Sequence, residues 1–303
     1  MTTVSPASSR TAGILCFLAA LVALATFDAA SKHMLAFYPA PFLNVVRYSA
    51  VSTIALFLLA GRGAARWSRQ PYKPLLLARG LALGTVGTCF MTALIWIPLS
   101  EATAIYFTSP LILVALSPWL LGEHVGLPQW LAVGAGFAGM LLIVRPGGDL
   151  PALGTALMAV AAMAYAIFQV LTRKLAGRVA SHVQYAYTAF ICLLMTALPA
   201  PFFLPDPWPD AADWLAILAM GTGNGLAQIL LIAAFQRVEA STLAPLNYFH
   251  LLMAMVFSTF LFDRPPDGLA VAGMMLIVGA GIFLVTWRNA PGRSRRRSDA
   301  GGR

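Results

Sequence analysis

The residues of this chain that could do chemistry are a few ionisable side chains set inside long apolar runs. Asp28 and Lys32 lie four residues apart, a spacing that puts them on one helix face. Arg47 lies in a second run, where a guanidinium can clamp a carboxylate. His250 lies in a third, where an imidazole can exchange a proton near neutral pH. If these runs cross a membrane, each ionisable group costs roughly 2.5–3.5 kcal/mol and requires a partner or a function.

Each of these residues also has a structural interpretation. Asp28 and Lys32 could neutralise each other near the end of their helix, against a role for Asp28 in proton coupling or substrate binding. Arg47 could pair with a carboxylate or a helix end, and His250 could be a neutral imidazole bonded between helices. Arg79 is close enough to the end of its run to extend toward the membrane surface, and we assign it no role in a site.

Polar and aromatic residues at helical spacing add further candidates for a substrate site. These are Trp96, Tyr106, Tyr165, Gln169, Asn224, Gln228 and Asn247. Tyr165 with Gln169, and Asn224 with Gln228, are four residues apart and therefore share a face. The alternatives are hydrogen bonding between helices for the amides and membrane-interface positions for the aromatic residues.

Motifs for catalysis or cofactor binding are missing from the sequence. It contains no GxxxxGK[ST], HExxH or GxSxG motif, and its three cysteines have no ligand-like spacing. The GxGxxG match at 134–139 lies within an apolar run without a preceding strand, so close helix packing, including packing at a dimer contact, explains it better than a nucleotide site. We therefore expect no cofactor, no metal and no enzymatic activity.

The elements that must position these residues are membrane-spanning helices. The chain is 59% hydrophobic and 10% charged, against roughly 25% charged residues in soluble proteins. Charges, prolines and glycines divide it into ten apolar runs, each of a length that crosses a bilayer as a helix. The predicted spans are 13–34, 41–60, 75–97, 102–121, 128–144, 153–172, 183–203, 212–235, 240–262 and 268–287. Pro110 and Pro245 interrupt spans four and nine, as static kinks or as hinges.

The positions of the basic residues predict the orientation. With the N-terminus in the cytoplasm, fifteen Lys and Arg residues lie on the inner side and three on the outer side. This places both termini in the cytoplasm of a multi-pass protein in the inner or plasma membrane. The net charge of +9 is accounted for in this way and does not indicate nucleic acid. The first span resembles a signal peptide, but Asp28 interrupts it and we expect it to be retained.

An internal repeat organises the ten spans. Glu101-Ala102-Thr103 returns as Glu239-Ala240-Ser241 at an offset of 138, and a second set of matches has an offset of 141. The predicted division is a cytoplasmic N-terminus (1–12), two five-helix repeats (13–145 and 146–287) and a basic cytoplasmic tail (288–303). Because five is odd, the second repeat enters the membrane from the opposite side. The predicted fold is an all-α integral membrane protein with two inverted-topology repeats, as in many secondary transporters.

Several phrases resemble a known family. The stretch "LSEATAIYFTSPL", the connection "GEHVGLPQWLAVGAGFAGMLLIV" and "ASTLAPL" in the second half look like the drug/metabolite transporter superfamily, EamA type. The resemblance covers nearly the whole chain and implies export of small metabolites such as amino acids, by alternating access of the two halves. Substrate would bind between the halves. Protons are the candidate coupling ion, membrane lipid is the surroundings, and the protein is a monomer or homodimer.

Two other functions stay open at this point. A multidrug or lipophilic-cation exporter would use the same architecture. A membrane scaffold without transport would need only the helices.

Overall fold

The structure is a computed structural model that describes residues 6–60, 70–122, 125–145, 150–175, 178–235, 237–238 and 244–288. Helices make up nearly all of these residues, and none of them forms a strand. The α-helices are α1 Pro6–Met34, α2 Ala40–Ala60, α3 Lys73–Ala93, α4 Leu99–Tyr106, α5 Ser109–Leu121, α6 Leu127–Val144, α7 Ala152–Leu175, α8 Ser181–Ala197, α9 Ala211–Phe235, α10 Tyr248–Phe262 and α11 Gly268–Arg288. Two 3-10 turns cover Ala200–Phe202 and Ala244–Asn247.

The predicted spans correspond to these helices. Across the described residues, eight segments are long and apolar enough to cross a membrane, and two shorter apolar helices cover Tyr248–Phe262 and Gly268–Phe283. The predicted class, an all-α membrane protein with ten spans, is confirmed. Three predicted features lie outside the described residues: the repeated Glu239, the acid of the Gly122-Glu123 pair, and the basic tail after Arg288.

The fourth span is not one continuous helix, and here the sequence prediction is wrong. The chain forms α4 and α5 with a break at Phe107 and Thr108. Pro110 takes the second position of α5, where its missing N–H costs nothing because the first turn has no intrahelical acceptor. The Thr108 hydroxyl donates to the Ile105 carbonyl at 2.6 Å, which satisfies a group at the end of α4.

The ninth span has a matching discontinuity. The 3-10 turn that contains Pro245 precedes α10, which begins at Tyr248. Since α5 begins at Ser109, the two α-helical starts are separated by 139 residues, within one residue of the repeat offset. Both repeats therefore carry a broken helix at the same place.

Contacts between the two halves occur in reciprocal pairs. If α1, α2, α3 and α6 correspond to α7, α8, α9 and α11, the contact of α3 with α7 corresponds to that of α9 with α1. Likewise, α3 on α8 corresponds to α9 on α2, while α2 on α8 and α6 on α11 correspond to themselves. This pattern is expected of two repeats related by a two-fold axis in the membrane plane.

Two glycine contacts show the same relation at atomic detail. A Cβ added to Gly13 of α1 would lie 2.5 Å from the Val238 side chain, which follows α9. A Cβ added to Gly154 of α7 would lie 2.9 Å from the Ile97 side chain, which follows α3. Both members of the second pair are displaced by 141 residues along the sequence from one pair to the other. Each repeat thus packs a glycine against a β-branched residue at the end of the opposite repeat's third helix.

The α6–α11 contact explains most of the glycines in the GxGxxG match. A Cβ on Gly139 would meet the Gly273 carbonyl oxygen at 2.6 Å, and one on Gly273 would meet the Gly139 carbonyl oxygen at 2.4 Å. Gly136 is tight against Leu111 of α5. These two positions of the match are therefore packing sites within the chain, as small residues commonly are between membrane helices. Only Gly134 of the three faces open space.

Candidate functional site

The centre of the candidate site is an ion pair that joins the two repeats. Asp28 of α1 and His250 of α10 approach with Oδ2 and Nε2 2.9 Å apart. Their side chains are only 14% and 13% exposed. Both were predicted as candidates, but separately, and the structure brings them together. A carboxylate and an imidazole at this distance can hold one proton between them or release it.

Lys32 is not the partner of Asp28, so the predicted self-neutralising pair is wrong. The Lys32 ammonium instead donates to the carbonyl oxygens of Leu94 and Ile97, at 2.8 and 2.9 Å. These carbonyls follow the last turn of α3, where backbone acceptors are unsatisfied and the helix dipole favours a cation. Asp28 is thereby left for His250.

Aromatic side chains surround the ion pair on one side. The Phe107 ring lies edge-on to the His250 imidazole, with centroids 5.7 Å apart, and Tyr248 lies 5.9 Å beyond it. Phe107 occupies the break between α4 and α5. The interrupted helix therefore places an aromatic ring directly against the titratable imidazole.

A second aromatic group connects the two halves beside Asp28. The rings of Tyr106 and Tyr165 lie 5.0 Å apart, and Phe90 approaches Tyr106 at 5.5 Å. Asp28 lies within electrostatic reach of Tyr106. Both tyrosines were predicted site residues, and the structure places them at the same site. Their hydroxyl groups supply the polar contacts that orient a ligand among mainly apolar surfaces.

Arg47 approaches the same region through the neighbour of Asp28. Its guanidinium lies over the rings of Phe27 and Tyr48, at 5.0 and 4.4 Å, and Nη2 donates to the Tyr48 hydroxyl at 2.7 Å. Arg47 forms no ion pair within the described ranges, and its Nε is buried without a hydrogen-bond acceptor. The predicted structural partner, a carboxylate, is therefore not found among the residues described.

Arg79 departs from its prediction. It does not extend to the membrane surface but donates to Thr172 at 2.8 Å, to the Gln184 carbonyl at 3.0 Å and to Thr188. Its guanidinium also lies 4.4 Å from the Phe168 ring centre. Thr172 and Thr188 belong to α7 and α8, so this arginine ties α3 to the second repeat. Arg79, Phe107 and Tyr48 are the residues that sequence reasoning missed or left without a role.

The other predicted residues are distributed around this centre. Gln169 is half-buried one turn beyond Tyr165, and Asn247 is half-buried at the end of its 3-10 turn. Asn224 is buried on α9 and Gln228 half-buried one turn later. No contact in the described part of the chain joins these four amides to the ion pair, and their role stays a prediction.

Trp96 lies away from the ion pair, at a separate cavity of about 570 Å³ at one end of the bundle. Charged residues on its wall are Lys32, Glu101, Arg145, Arg264 and Asp267. Arg145 binds Asp267, and this contact lowers the pKa of the Asp267 carboxyl. Lys32, Arg145 and Arg264 are the three basic residues predicted to lie outside, so the structure gathers them at one end.

A profile of the EamA-like transporter family matches residues 11–145 and again residues 152–287. The chain belongs to the EamA-like transporter family. The two matches divide the chain where the repeat was predicted to divide, and the predicted family resemblance is confirmed. As an EamA-like protein it is a multi-pass membrane transporter.

Curated relatives of this EamA-like protein carry different solutes. The S-adenosylmethionine uptake transporter of Rickettsia conorii is 23% identical over 277 residues, which cover 90% of this chain and 92% of the relative. The pseudopaline exporter CntI of Pseudomonas aeruginosa is 27% identical over 278 residues, covering 90% and 95%. The riboflavin transporter of Vibrio cholerae is 28% identical over 203 residues, covering 66% and 67%.

A solved structure described only as a crystal structure of a protein shares the fold of this EamA-like chain. It superposes with a TM-score of 0.61 at 24% identity, covering 92% of this chain and 97% of the other. The described residues contain no group of three or more His, Cys, Asp or Glu side chains that could hold a metal ion. The chemistry of the site therefore comes from its carboxylate, imidazole, guanidinium and phenol groups.

Proposed function

We propose that this EamA-like transporter is a proton-coupled exporter of small metabolites, amino acids or related compounds in particular. The observation that carries the proposal is the Asp28–His250 pair, which joins α1 of the first repeat to α10 of the second. In a transporter whose two halves move relative to each other, a titratable contact between the halves links a proton to that movement. A transport protein, not an enzyme or an inert scaffold, has a use for such a contact.

The coupling follows from the charges of the pair. When His250 is protonated, it forms a charge-assisted contact with Asp28 that holds α1 against α10. When it loses the proton, the attraction weakens and Asp28 can accept another donor. A coupling ion drives movement only if the two orientations bind it with different free energies. The contact is made in the orientation described here, so proton binding favours that orientation.

A second candidate function is export of lipophilic cations. The aromatic rings of Phe107, Tyr106 and Tyr248 around one carboxylate would also suit a cation held by cation–π contacts. The relatives named above transport solutes of several chemical kinds, and both uptake and export occur among them. Substrate and direction must therefore be decided by measurement on this chain.

We propose the inner or plasma membrane as the location, with both termini in the cytoplasm. The cavity lined by Lys32, Arg145 and Arg264 then opens to the outside. The support is the excess of basic residues at the other side, fifteen against three. Labelling of single cysteines introduced at Arg237 and at Arg264 from either side of the membrane tests it. Equal accessibility from one side would contradict the orientation.

A flux assay with the purified protein in liposomes tests the function. Counterflow of labelled amino acids, nucleosides and lipophilic cations is measured with and without an imposed pH gradient. The proposal expects exchange of at least one amino acid or related compound, and accumulation of that solute against its gradient when protons flow the opposite way. Exchange of lipophilic cations alone would select the second function. Absence of any exchange would support a scaffold.

A further inference from the structure

Arg47 is a buried cation whose hydrogen-bonding capacity is only partly used. Its Nη2 donates to Tyr48, while Nε is buried without an acceptor. A buried unsatisfied donor is costly, and an unpaired charge within a membrane helix is costlier still. Arg79 shows what a structural arginine looks like in this protein, since it makes three hydrogen bonds to α7 and α8. Arg47 has no comparable set of protein partners in the part of the chain described.

The surroundings of Arg47 hold its plane without using its edge. Phe27 and Tyr48 offer their ring faces to the guanidinium, 5.0 and 4.4 Å from the ring centres. Stacking of this kind fixes the orientation of the group by contact with its faces. The N–H bonds of a guanidinium lie in its plane and point outward from its edge. An oriented guanidinium with an unused edge is suited to the two oxygens of a carboxylate.

Glycines keep this arrangement compact. A Cβ on Gly87 of α3 would lie 2.1 Å from the Tyr48 hydroxyl and 3.3 Å from Arg47 Nη2. A Cβ on Gly221 of α9 would lie 3.3 Å from the Arg47 Cα. Helices of both repeats therefore approach Arg47 at positions without side chains. The arginine lies between the halves, where an alternating-access transporter binds its solute.

The charge balance of the interior favours an anionic group on the solute. Arg47 and Arg79 contribute two positive charges to the spans, and Asp28 contributes one negative charge. Lys32 and Glu101 belong to the cavity at the end of the bundle. One positive charge is left uncompensated even with His250 neutral, and protonation of His250 adds another. A lipophilic cation would enter an interior that is already positive, whereas a carboxylate would neutralise it.

We propose that the transported solute carries a carboxylate, and that Arg47 binds it through the guanidinium edge that includes Nε. This inference rests on the proposed function, because it names the chemical class of the solute at the same site. In the orientation described here Nε is occluded. The carboxylate reaches it when the halves separate, and supplies the missing acceptor when they close around the solute. Asp28 and His250 lie next to Phe27 and remain free for the proton.

The test uses pairs of solutes that differ only in the carboxylate. The full-length protein in liposomes is loaded with a labelled amino acid that it exchanges. Unlabelled amino acid, its N-acetyl derivative and its amide are then compared as competitors. The N-acetyl derivative keeps the carboxylate without the ammonium, and the amide keeps the ammonium without the carboxylate. The inference expects both acids to compete at least about tenfold more strongly than the amide.

Variants assign this preference to Arg47. Arg47→Gln should reduce the ratio of acid to amide competition to near one, and Arg47→Lys should give an intermediate ratio. Tyr48→Phe removes the structural acceptor of Arg47 and should keep the preference, which a purely structural arginine would not predict. Arg237→Gln removes an exposed arginine at the end of α9 and serves as the matched control. An unchanged ratio in Arg47→Gln protein overturns the proposal, and Arg47→Lys decides the point if the Gln variant does not fold.

The outcomes separate this inference from the function on which it rests. If the wild-type protein exchanges only nucleosides or lipophilic cations, the carboxylate proposal fails while transport stands. If the amide competes as strongly as the acids, the proposal fails in the same way. If no solute of any class is exchanged, both the transport function and the carboxylate proposal fail.

Discussion

The contact between α6 and α11 leads to a prediction with its own internal control. Gly139→Ala would place a Cβ 2.6 Å from the Gly273 carbonyl oxygen and 3.0 Å from the Leu276 Cβ. The first of these atoms belongs to the backbone of a neighbouring helix and cannot rotate away. Gly134 lies in the same helix, five residues earlier, and a Cβ there meets no other part of the chain within 4 Å.

The expected effects have opposite signs. Alanine is a better helix former than glycine, so Gly134→Ala should stabilise the protein by about 0.5–1 kcal/mol. Gly139→Ala gains the same amount but forces α6 and α11 apart, and overpacking of this kind costs about 1–3 kcal/mol. The two variants should therefore differ by about 1–3 kcal/mol. At ~2–4 °C per kcal/mol for 150–250 residues, the difference in Tm is several degrees.

Thermal unfolding of the detergent-purified variants measures this difference. The partner helix supplies a second matched pair. A Cβ on Gly273 would lie 2.4 Å from the Gly139 carbonyl oxygen, whereas one on Gly279 meets nothing within 4 Å. The order of Tm should be Gly134→Ala and Gly279→Ala above wild type, with Gly139→Ala and Gly273→Ala below it. Equal Tm values within either pair would refute the direct backbone contact between α6 and α11.

Three further predictions concern charged residues. Asp28→Asn should abolish the response of transport to a pH gradient while solute exchange at equal pH persists, because the carboxylate partner of the imidazole is lost; a retained response in the flux assay would contradict the coupling role. Lys32→Met should lower stability by about 2 kcal/mol, since two carbonyls after α3 lose a charged donor, whereas Lys174→Met at an exposed site should leave Tm unchanged. Arg145 lowers the pKa of Asp267, so this pair stabilises the fold at pH values above the ordinary carboxyl pKa of about 4. The stabilisation is lost as the pH falls through the lowered pKa, and Asp267→Asn protein should show a smaller drop in Tm between pH 7 and pH 3.

The sequence was sufficient for the spans because hydrophobic length and charge position are local properties. The ten predicted runs correspond to the helices observed, and the repeat offsets of 138 and 141 reappear in the breaks before α5 and α10 and in the Gly13 and Gly154 contacts. The break at Phe107 and Thr108 was only partly predictable. Pro110 marks an interruption, but a kink within one helix and a division into two helices differ in how neighbouring carbonyls are satisfied, and here the Thr108 side chain decides.

Partners across helices were beyond the sequence. Asp28 and Lys32 are neighbours on one helix, so their pairing was a reasonable structural expectation. Each instead bonds to a group that is distant in sequence, His250 at 222 residues and the Leu94 carbonyl at 62. Arg79 failed for the same reason, since its acceptors belong to α7 and α8. Helical spacing identifies which residues share a face, but only the packing of the helices determines what that face meets.

The paired glycine contacts at the ends of the bundle have a consequence for energetics. Where Gly13 meets Val238, α1 is closed against the end of α9, and where Gly154 meets Ile97, α7 is closed against the end of α3. Separating one of these seams while tightening the other exchanges similar apolar surfaces, so the two terms largely cancel. Reversing a population from 1:99 to 99:1 then requires only about 5.5 kcal/mol of differential binding. The resting orientation is accordingly set by the positions at which the two repeats differ, and a few side-chain substitutions there should be enough to invert it.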